Sequence, residues 1–292
     1  MTWRVVVIDT RAKLEAKLGH LVVRQDGNKI RKIFLKDISH ILVNTTEASV
    51  TFALLNEIVK HKIKLIFCDE KRNPTAEIMP YYASYNTSEK IRAQIKWDAS
   101  IKGDVWQAIV REKIKNQMQM LLRYEKKEYV LLHKYLDEVA CNDASNREGH
   151  AAKVYFNALY GKGFSRSDEC NTNAALNYGY AILLSAINRH VVSQGYITQI
   201  GIFHDNVFNP FNLSSDLIEP WRAIVDDKVY RMDRNRFGKE EKIELIDLIN
   251  EFVRIDGKNY RINQAMHLYV RSVFDALNNR DLSLLRFPVY EL

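Results

Sequence analysis

The sequence predicts an α+β chain built as a small β-rich domain over residues 1–86, containing one helix, followed by a larger all-helical domain over residues 87–292. Three observations carry this reading. The first eighty residues alternate apolar and polar side chains with a period of two and include an Asp-Gly turn signal; short polar residues interrupt the pattern near residue 86; a period of 3.6 then runs almost to the end. A length of 292 residues also lies where single cores stop growing, roughly 250–300 residues, so the chain could be one large domain or two, with two preferred.

"WRVVVID" opens the chain as a β-branched strand, and "HLVVRQDGNKIRKIFL" reads as a hairpin, because a tight primed turn at Asp26-Gly27 needs positive φ. "SHILVN" is a further strand. "SVTFALLNEIVKHK" places Phe52, Leu55, Ile58 and Val59 at helical spacing, and "KLIFCDE" and "TAEIMPYY" return to strand character. In "ASYNTSEK", Ser88 stands as an N-cap ahead of the long amphipathic run "VWQAIVREKIKNQMQMLLRYEKKEYVLLHKYLDEV". There is no internal repeat and no low-complexity segment.

With 47% hydrophobic and 27% charged residues the chain can bury a substantial core, which excludes a disordered protein. No apolar run approaches the roughly 20 residues that cross a bilayer, and "MTWRVVVIDT" lacks the pattern of a secretion signal, so a cytoplasmic protein is expected. Cys68, Cys141 and Cys170 are odd in number and widely spaced, which predicts three reduced, buried thiols. Lys plus Arg exceed Asp plus Glu by 43 − 36 = 7, an excess too modest to establish a nucleic-acid partner alone.

Three segments could carry chemistry. In "NREGHAAKVYFNALYG", Asn146 can cap a helix whose stripe is Ala152, Tyr155, Phe156 and Leu159, and Glu148 shares that inward face. From local sequence alone, a first-turn Glu held by the helix dipole and spare N–H groups is the favoured explanation. In "RSDECNTNAALNYGYAILLSAINRHVV", Asn173, Asn177 and Tyr178 interrupt an apolar helix, either to orient a ligand or to satisfy neighbouring backbone. In "HDNVFNPFNLSSDLIEPWR", His204 enters a loop, Ser214 or Ser215 can cap the next helix, and Asp216 and Glu219, three apart, fall on one face continued by Arg222. A core histidine and ordinary first-turn acids account for these residues singly. Together, one imidazole and two carboxylates suit Mg²⁺ or Mn²⁺, with zinc still open. The basic runs "KVYRMDRNRFGK" and "REKIKNQMQMLLRYEKK" favour phosphodiester chemistry, which wants both a metal and cations; each is also readable as a solvated helix face.

In their order behind a β-rich domain, "NREGHAAKVYFNALYG", "NAALNYGYAILLSAINR" and "IGIFHDNVFNPFNLSSDLIEPWR" closely resemble the CRISPR-associated integrase of the spacer-adaptation step, the Cas protein numbered one. The resemblance covers almost the whole chain. "LNYGYAIL" and "DLIEPWR" are most similar to members from type II systems. Carried over by position, the family's metal-binding, catalytic glutamate falls on Glu148, its histidine on His204 and its third, acidic ligand on Glu219, with Asp216 at a second acidic position. Its Asn falls on Asn173, while Asp168 is out of register with the usual aspartate.

The resemblance implies a metal-dependent DNA endonuclease and integrase, using Mg²⁺ or Mn²⁺, in a prokaryotic cytoplasm. It would join the 3′-OH ends of a short duplex (the prespacer) into the CRISPR leader-repeat by direct transesterification. The implied partners are double-stranded DNA, a second copy of the chain through the β-rich domain, the small dimeric second adaptation protein, and in type II systems an accessory adaptation protein and the effector nuclease. The competing expectations are a catalytically inactive DNA-binding scaffold and an unrelated metal hydrolase of a small phosphorylated substrate.

Overall fold

Residues 4–27, 29–70, 74–81 and 86–290 are described by a computed structural model. Trp3 at the head of the first expected strand, and residues 82–85 ahead of the expected boundary, lie outside the described residues. The chain divides into two units, Met1–Tyr85 and Asn86–Leu292.

The first unit contains β1 (Arg4–Ile8), β2 (Ala12–Lys17), β3 (His20–Gln25), β4 (Lys29–Phe34), β5 (Ile38–Val43), β6 (Ala48–Val50), α1 (Phe52–Lys60), β7 (Lys64–Cys68) and β8 (Pro74–Glu77). One sheet runs β1-β5-β7-β8, with β1, β5 and β7 mutually parallel and β8 antiparallel; the other runs β4-β3-β2-β6. The Asp26-Gly27 hairpin joins β3 and β4, with Gly27 at φ 76°. A second tight turn at Leu18 (φ 49°) and Gly19 (φ 73°) joins β2 and β3. Neither β2 nor β6 was expected: "AKLEAK" is poor in β-branched residues and becomes a strand by pairing on both edges.

One apolar cluster draws on both sheets and α1, including Leu14, Leu21, Ile38, Ile41, Leu54, Ile58 and Leu65. The helix is nucleated by Thr51, whose hydroxyl accepts from the Leu54 N–H, and it buries Leu54 and Ile58. Phe52, expected on the inner stripe, is exposed because it occupies the first helical position, before the buried face turns inward. Ile41 belongs wholly to this core, whereas Val5 and Val7 are half-buried.

The second unit contains α2 (Thr87–Ile95), α3 (Ala99–Arg123), α4 (Tyr129–Asp137), α5 (Arg147–Tyr160), α6 (Asn171–Ser193), α7 (Asn212–Leu217), α8 (Arg222–Tyr230), α9 (Lys239–Asp247), β9 (Phe252–Ile255), β10 (Lys258–Arg261) and α10 (Ile262–Asn279). It is therefore not all-helical, as expected, but contains an antiparallel hairpin, β9-β10. Its cause is the same signal seen at Asp26-Gly27: Asp256 (φ 50°) and Gly257 (φ 74°) turn the chain, and Val253 and Ile255 alternate inward against exposed Phe252 and Arg254. The hairpin is only four residues a side, too short to stand out against the surrounding helical period.

Ser88 lies inside α2 rather than capping it. The long amphipathic run breaks into α3 and α4 near Glu125 (φ 53°), and Asp98 caps α3 by accepting from the Ser100 N–H at 2.9 Å. The three cysteines are free, but only Cys68 is buried; Cys141 and Cys170 are exposed, one in a short 3₁₀ turn and the other just ahead of α6. No helix among the described residues is long and apolar enough to cross a membrane.

A Cβ at Gly257 would meet nothing within 4 Å, so its cost is conformational alone. Gly257→Ala should destabilise the protein by about 1 kcal/mol and Gly257→Asn by less, as left-handed backbone tolerance dictates. Urea unfolding monitored by circular dichroism checks this, and equal midpoints for all three proteins would contradict it.

Candidate functional site

Helix α3 is the spine of the site. Its inward stripe runs through Ile109 and Met120, yet Lys113, Asn116 and Gln117 are buried on it as well. A buried ammonium is expensive unless anions meet it. The Lys113 Nζ makes ion pairs with both Glu148 Oε1 and Glu219 Oε2. Burial alone would lower the lysine's pKa, but attraction to Glu219 and Glu148 outweighs it and the net shift is upward, so the amine stays charged.

Glu148 reaches this point from the first turn of α5, on the face that buries Ala151 and Tyr155. That helix starts at Asn146, which adopts φ 51° and makes no capping bond with its side chain. Asp143 caps instead, its carboxylate accepting from the N–H groups of Arg147 (2.8 Å) and Glu148 (3.0 Å). The left-handed turn at Asn142, Asp143 and Asn146 brings Asp143 under the helix start, which local sequence does not announce.

Glu219 arrives from the opposite side, in a 3₁₀ turn over Glu219–Trp221. Asp216 and Glu219 were expected on one helix face, but α7 stops at Leu217: Pro220 has no N–H to return to the preceding turn. Neither Ser214 nor Ser215 caps α7, since both lie within it. The Pro220 carbonyl accepts from Asn116 Nδ2 (3.0 Å) and from the Tyr290 hydroxyl (2.6 Å), which ties the turn to α3. Burial pushes the Glu219 carboxyl up, yet Arg222, whose Nε donates to Oε1 at 2.9 Å, and Lys113 together hold it down at about 2. Glu219 Oε2 touches Lys113 ionically but has no hydrogen bond of good geometry.

His204 sits in the loop after α6. Fully buried Asp216 accepts four bonds there: from the N–H groups of Ile202 (2.6 Å), Phe203 (3.1 Å) and His204 (3.0 Å), and from the imidazole Nδ1 at 2.6 Å. The carboxylate thus clamps the loop and orients the ring, leaving Nε2 as the nitrogen for a ligand. Its hydrogen bond raises the His204 pKa above the usual histidine value, against the opposing effect of burial. The loop approaches so closely that a Cβ on Gly201 would meet the His204 carbonyl oxygen at 2.3 Å and Asp216 Oδ2 at 2.8 Å. On α3, Trp106 stacks on Phe203 with centroids 4.6 Å apart and meets the His204 ring edge-on at 5.6 Å.

The structure therefore brings Glu148 and Glu219 onto one cationic nitrogen, with His204 near enough to feel both charges. As they lie, no three His, Cys, Asp or Glu groups among the described residues surround a common point closely enough to hold a metal ion. The donor chemistry nevertheless fits a divalent cation: two carboxylates from separate elements converge on one positive charge, beside an imidazole oriented through Nδ1. Asp216 is committed to the loop, so Glu219 is the better third donor.

Asn173 bonds neighbouring backbone, its Nδ2 donating to the carbonyls of Ser165 and Asp168 at 2.8 Å each, while Arg166 donates to Asn173 Oδ1 and to Asn177 Oδ1. Arg166 and Arg222 both lie over the Tyr180 ring, at 5.5 and 4.6 Å. The Tyr180 and Tyr155 hydroxyls donate to Asp226, whose carboxyl burial raises to about 6 against those two bonds. Lys113 and Asp226 went unrecognised in the sequence. For Asp226 the available signal was an acid in the apolar run "RAIV" to "VY"; Lys113 lies inside a run of cations and offered none.

The family model described as "CRISPR associated protein Cas1" matches residues 5–245. A CRISPR-associated endonuclease Cas1 of Neisseria meningitidis serogroup C is 32% identical over 297 residues, covering 99% of this chain and 96% of that protein. One from Pyrobaculum aerophilum is 28% identical, over 78% of this chain and 81% of its own. Among solved structures, a casposase bound to integration product has a TM-score of 0.78 at 17% identity, over 97% of this chain and 92% of its own. A CAS1 protein from Thermotoga maritima has 0.75 at 15%, over 99% and 100%. A Cas6-RT-Cas1--Cas2 complex has 0.76 at 20%, over 99% of this chain and 36% of that one.

Two outcomes follow from the clamp. Asp216→Asn should lower the His204 titration midpoint, followed by imidazole NMR resonances; an unmoved midpoint would remove Asp216 as the orienting group. Gly201→Ala should cost about 1–3 kcal/mol through overpacking, read by chemical denaturation.

Proposed function

The chain belongs to the CRISPR-associated Cas1 family, and from that premise we propose that it is a divalent-metal-dependent DNA endonuclease and integrase of CRISPR adaptation. The observation that carries the reading is the convergence of Glu148 and Glu219 on one buried cationic point beside an oriented His204.

In this reading Glu148, His204 and Glu219 hold Mg²⁺ or Mn²⁺, which when bound supplies Lewis-acid stabilisation of charge on a phosphodiester. The chain's own residues do the rest. Asp216 engages the imidazole through Nδ1 and so reserves Nε2 for a ligand, and Arg222 keeps Glu219 ionised even when buried. Asn116 and Tyr290 lock the turn that aims Glu219. In strand transfer the 3′-hydroxyl of a short duplex gives up its proton as its oxygen bonds to a phosphorus of the repeat; the bond from that phosphorus to the repeat's own 3′-oxygen breaks, and the departing 3′-oxygen takes up a proton, so one P–O bond replaces another and no covalent protein intermediate forms. Pre-positioning of the reacting groups supplies much of the rate.

The partners that fit are double-stranded DNA (prespacer and leader-repeat), a second copy of the chain through its β-rich unit, and the small second adaptation protein; one structural neighbour is itself a Cas1–Cas2 complex. A type II accessory adaptation protein and effector nuclease extend the set, on the resemblance of "LNYGYAIL" and "DLIEPWR" to type II members.

The test is strand transfer of a 3′-OH duplex into a supercoiled repeat plasmid, with the partner protein present and with Mn²⁺ or EDTA. Mn²⁺-dependent relaxation should fall by roughly a hundredfold or more in His204→Ala and Glu148→Gln. Both variants should still bind the duplex, because that affinity comes from Lys and Arg on phosphates spread over a large surface. DNA binding by the wild type without any strand transfer would instead identify an inactive scaffold.

A further inference from the structure

We propose that Lys113 is a resident counter-cation of this centre, which competes with the divalent ion for Glu148 and Glu219 and passes to a phosphate oxygen of the DNA when the ion binds. The inference rests on the function proposed above, in that it takes a divalent ion at these carboxylates and DNA as the substrate. Geometrically, one ammonium bridges two carboxylates supplied by α5 and by the turn after α7, and it lies on an α3 stripe whose other members include Ile109 and Met120. A lysine at that position has no packing advantage over a leucine or methionine; its charge is what the site uses.

The competition is one of shared atoms. Lys113 Nζ is in contact with Glu148 Oε1 and Glu219 Oε2, and Arg222 with Glu219 Oε1. A divalent ion bound by the same carboxylates would meet like charge at contact distance in a site where Lys113 and Glu219 are almost wholly buried. One of the two resident cations then yields. Arg222 is held by its bond to Glu219 and by the face of Tyr180 at 4.6 Å, and its planar head is not easily re-aimed. Lys113 carries a point charge on a flexible four-carbon stem, so it is the group that moves.

Its destination is constrained as well. The stem is rooted on α3 beside the two acids, so the displaced ammonium stays within a few ångströms of them and needs a new anion there. In the proposed reaction the group delivered to that position is a DNA phosphate. Metal and DNA then favour one another through a single side chain, and by linkage the coupling is reciprocal.

The experiment measures Mn²⁺ binding by electron paramagnetic resonance of the free ion, using the full chain as wild type and as Lys113→Met, each with and without a short DNA duplex, and with His204→Ala to identify the site. The expected result is Mn²⁺ binding about tenfold tighter in Lys113→Met than in wild type without DNA. The duplex should tighten Mn²⁺ binding by a similar factor in wild type and leave Lys113→Met unchanged. A purely structural lysine would not produce this loss of coupling. Equal or weaker Mn²⁺ affinity in Lys113→Met, or equal tightening by DNA in both proteins, would overturn the proposal while leaving the metal-dependent reading intact. No His204-dependent Mn²⁺ binding in any protein would overturn that reading and this inference with it.

A second measurement does not depend on the neutral variant folding. In wild type labelled at lysine ¹³Cε, the Lys113 resonance, assigned by its absence from Lys113→Arg, should move on saturation with diamagnetic Mg²⁺ and again on addition of duplex. A resonance unmoved by saturating Mg²⁺ would equally overturn the proposal.

Discussion

The constraint on which the catalytic unit depends is electroneutrality around a buried carboxylate. Glu219 is almost wholly inaccessible yet ionised, which is tolerable only because Arg222 and Lys113 stand on either side of it. Each of those cations belongs to a different helix, and Lys113 then recruits Glu148 from a third. Three helices and a turn are thereby locked together by a few charges, and displacing one element would leave another's charge unpaired. Breaking such a set by removing one partner is far more destabilising than its modest net contribution when intact.

Singly, Glu148 read as a first-turn acid and His204 as a core histidine; they stood out as a set only in combination and through the family resemblance, and the wiring between them was not legible locally. Glu219 and Asp216 looked alike at a spacing of three, and only the break at Pro220 separates them, sending one to the loop clamp and the other to the ion pairs. Lys113 was hidden in a run of cations that reads as a solvated helix face. Its burial is decided by elements far away in sequence, and no local period encodes it.

The fold shows the same division between local and non-local information. The Asp26-Gly27 hairpin and α1 are specified by turn chemistry and spacing, and both appear where the pattern puts them. Strand β2 exists because two neighbours complete its hydrogen bonds, not because "AKLEAK" favours it. The β9-β10 hairpin carried a readable Asp-Gly turn, but four-residue strands between helices α9 and α10 offer too little periodicity to contest a helical reading.

Beyond the buried ion pairs, the second layer of polar contacts has a consistent logic. Tyr180 receives Arg166 and Arg222 on its ring and donates its hydroxyl to Asp226, so that a cation touching Glu219 is also tied to α6 and α8. Asp226 is the weak point of this layer: burial raises it to about 6, and only the two tyrosine donors and nearby arginines restrain the rise. Asp226 reaches Arg222 only through the Tyr180 ring, which donates its hydroxyl to the acid and offers its face to the guanidinium. The cation beside Glu219 is thus positioned by an aromatic ring as well as by a carboxylate, whereas Lys113 is positioned by its two carboxylates.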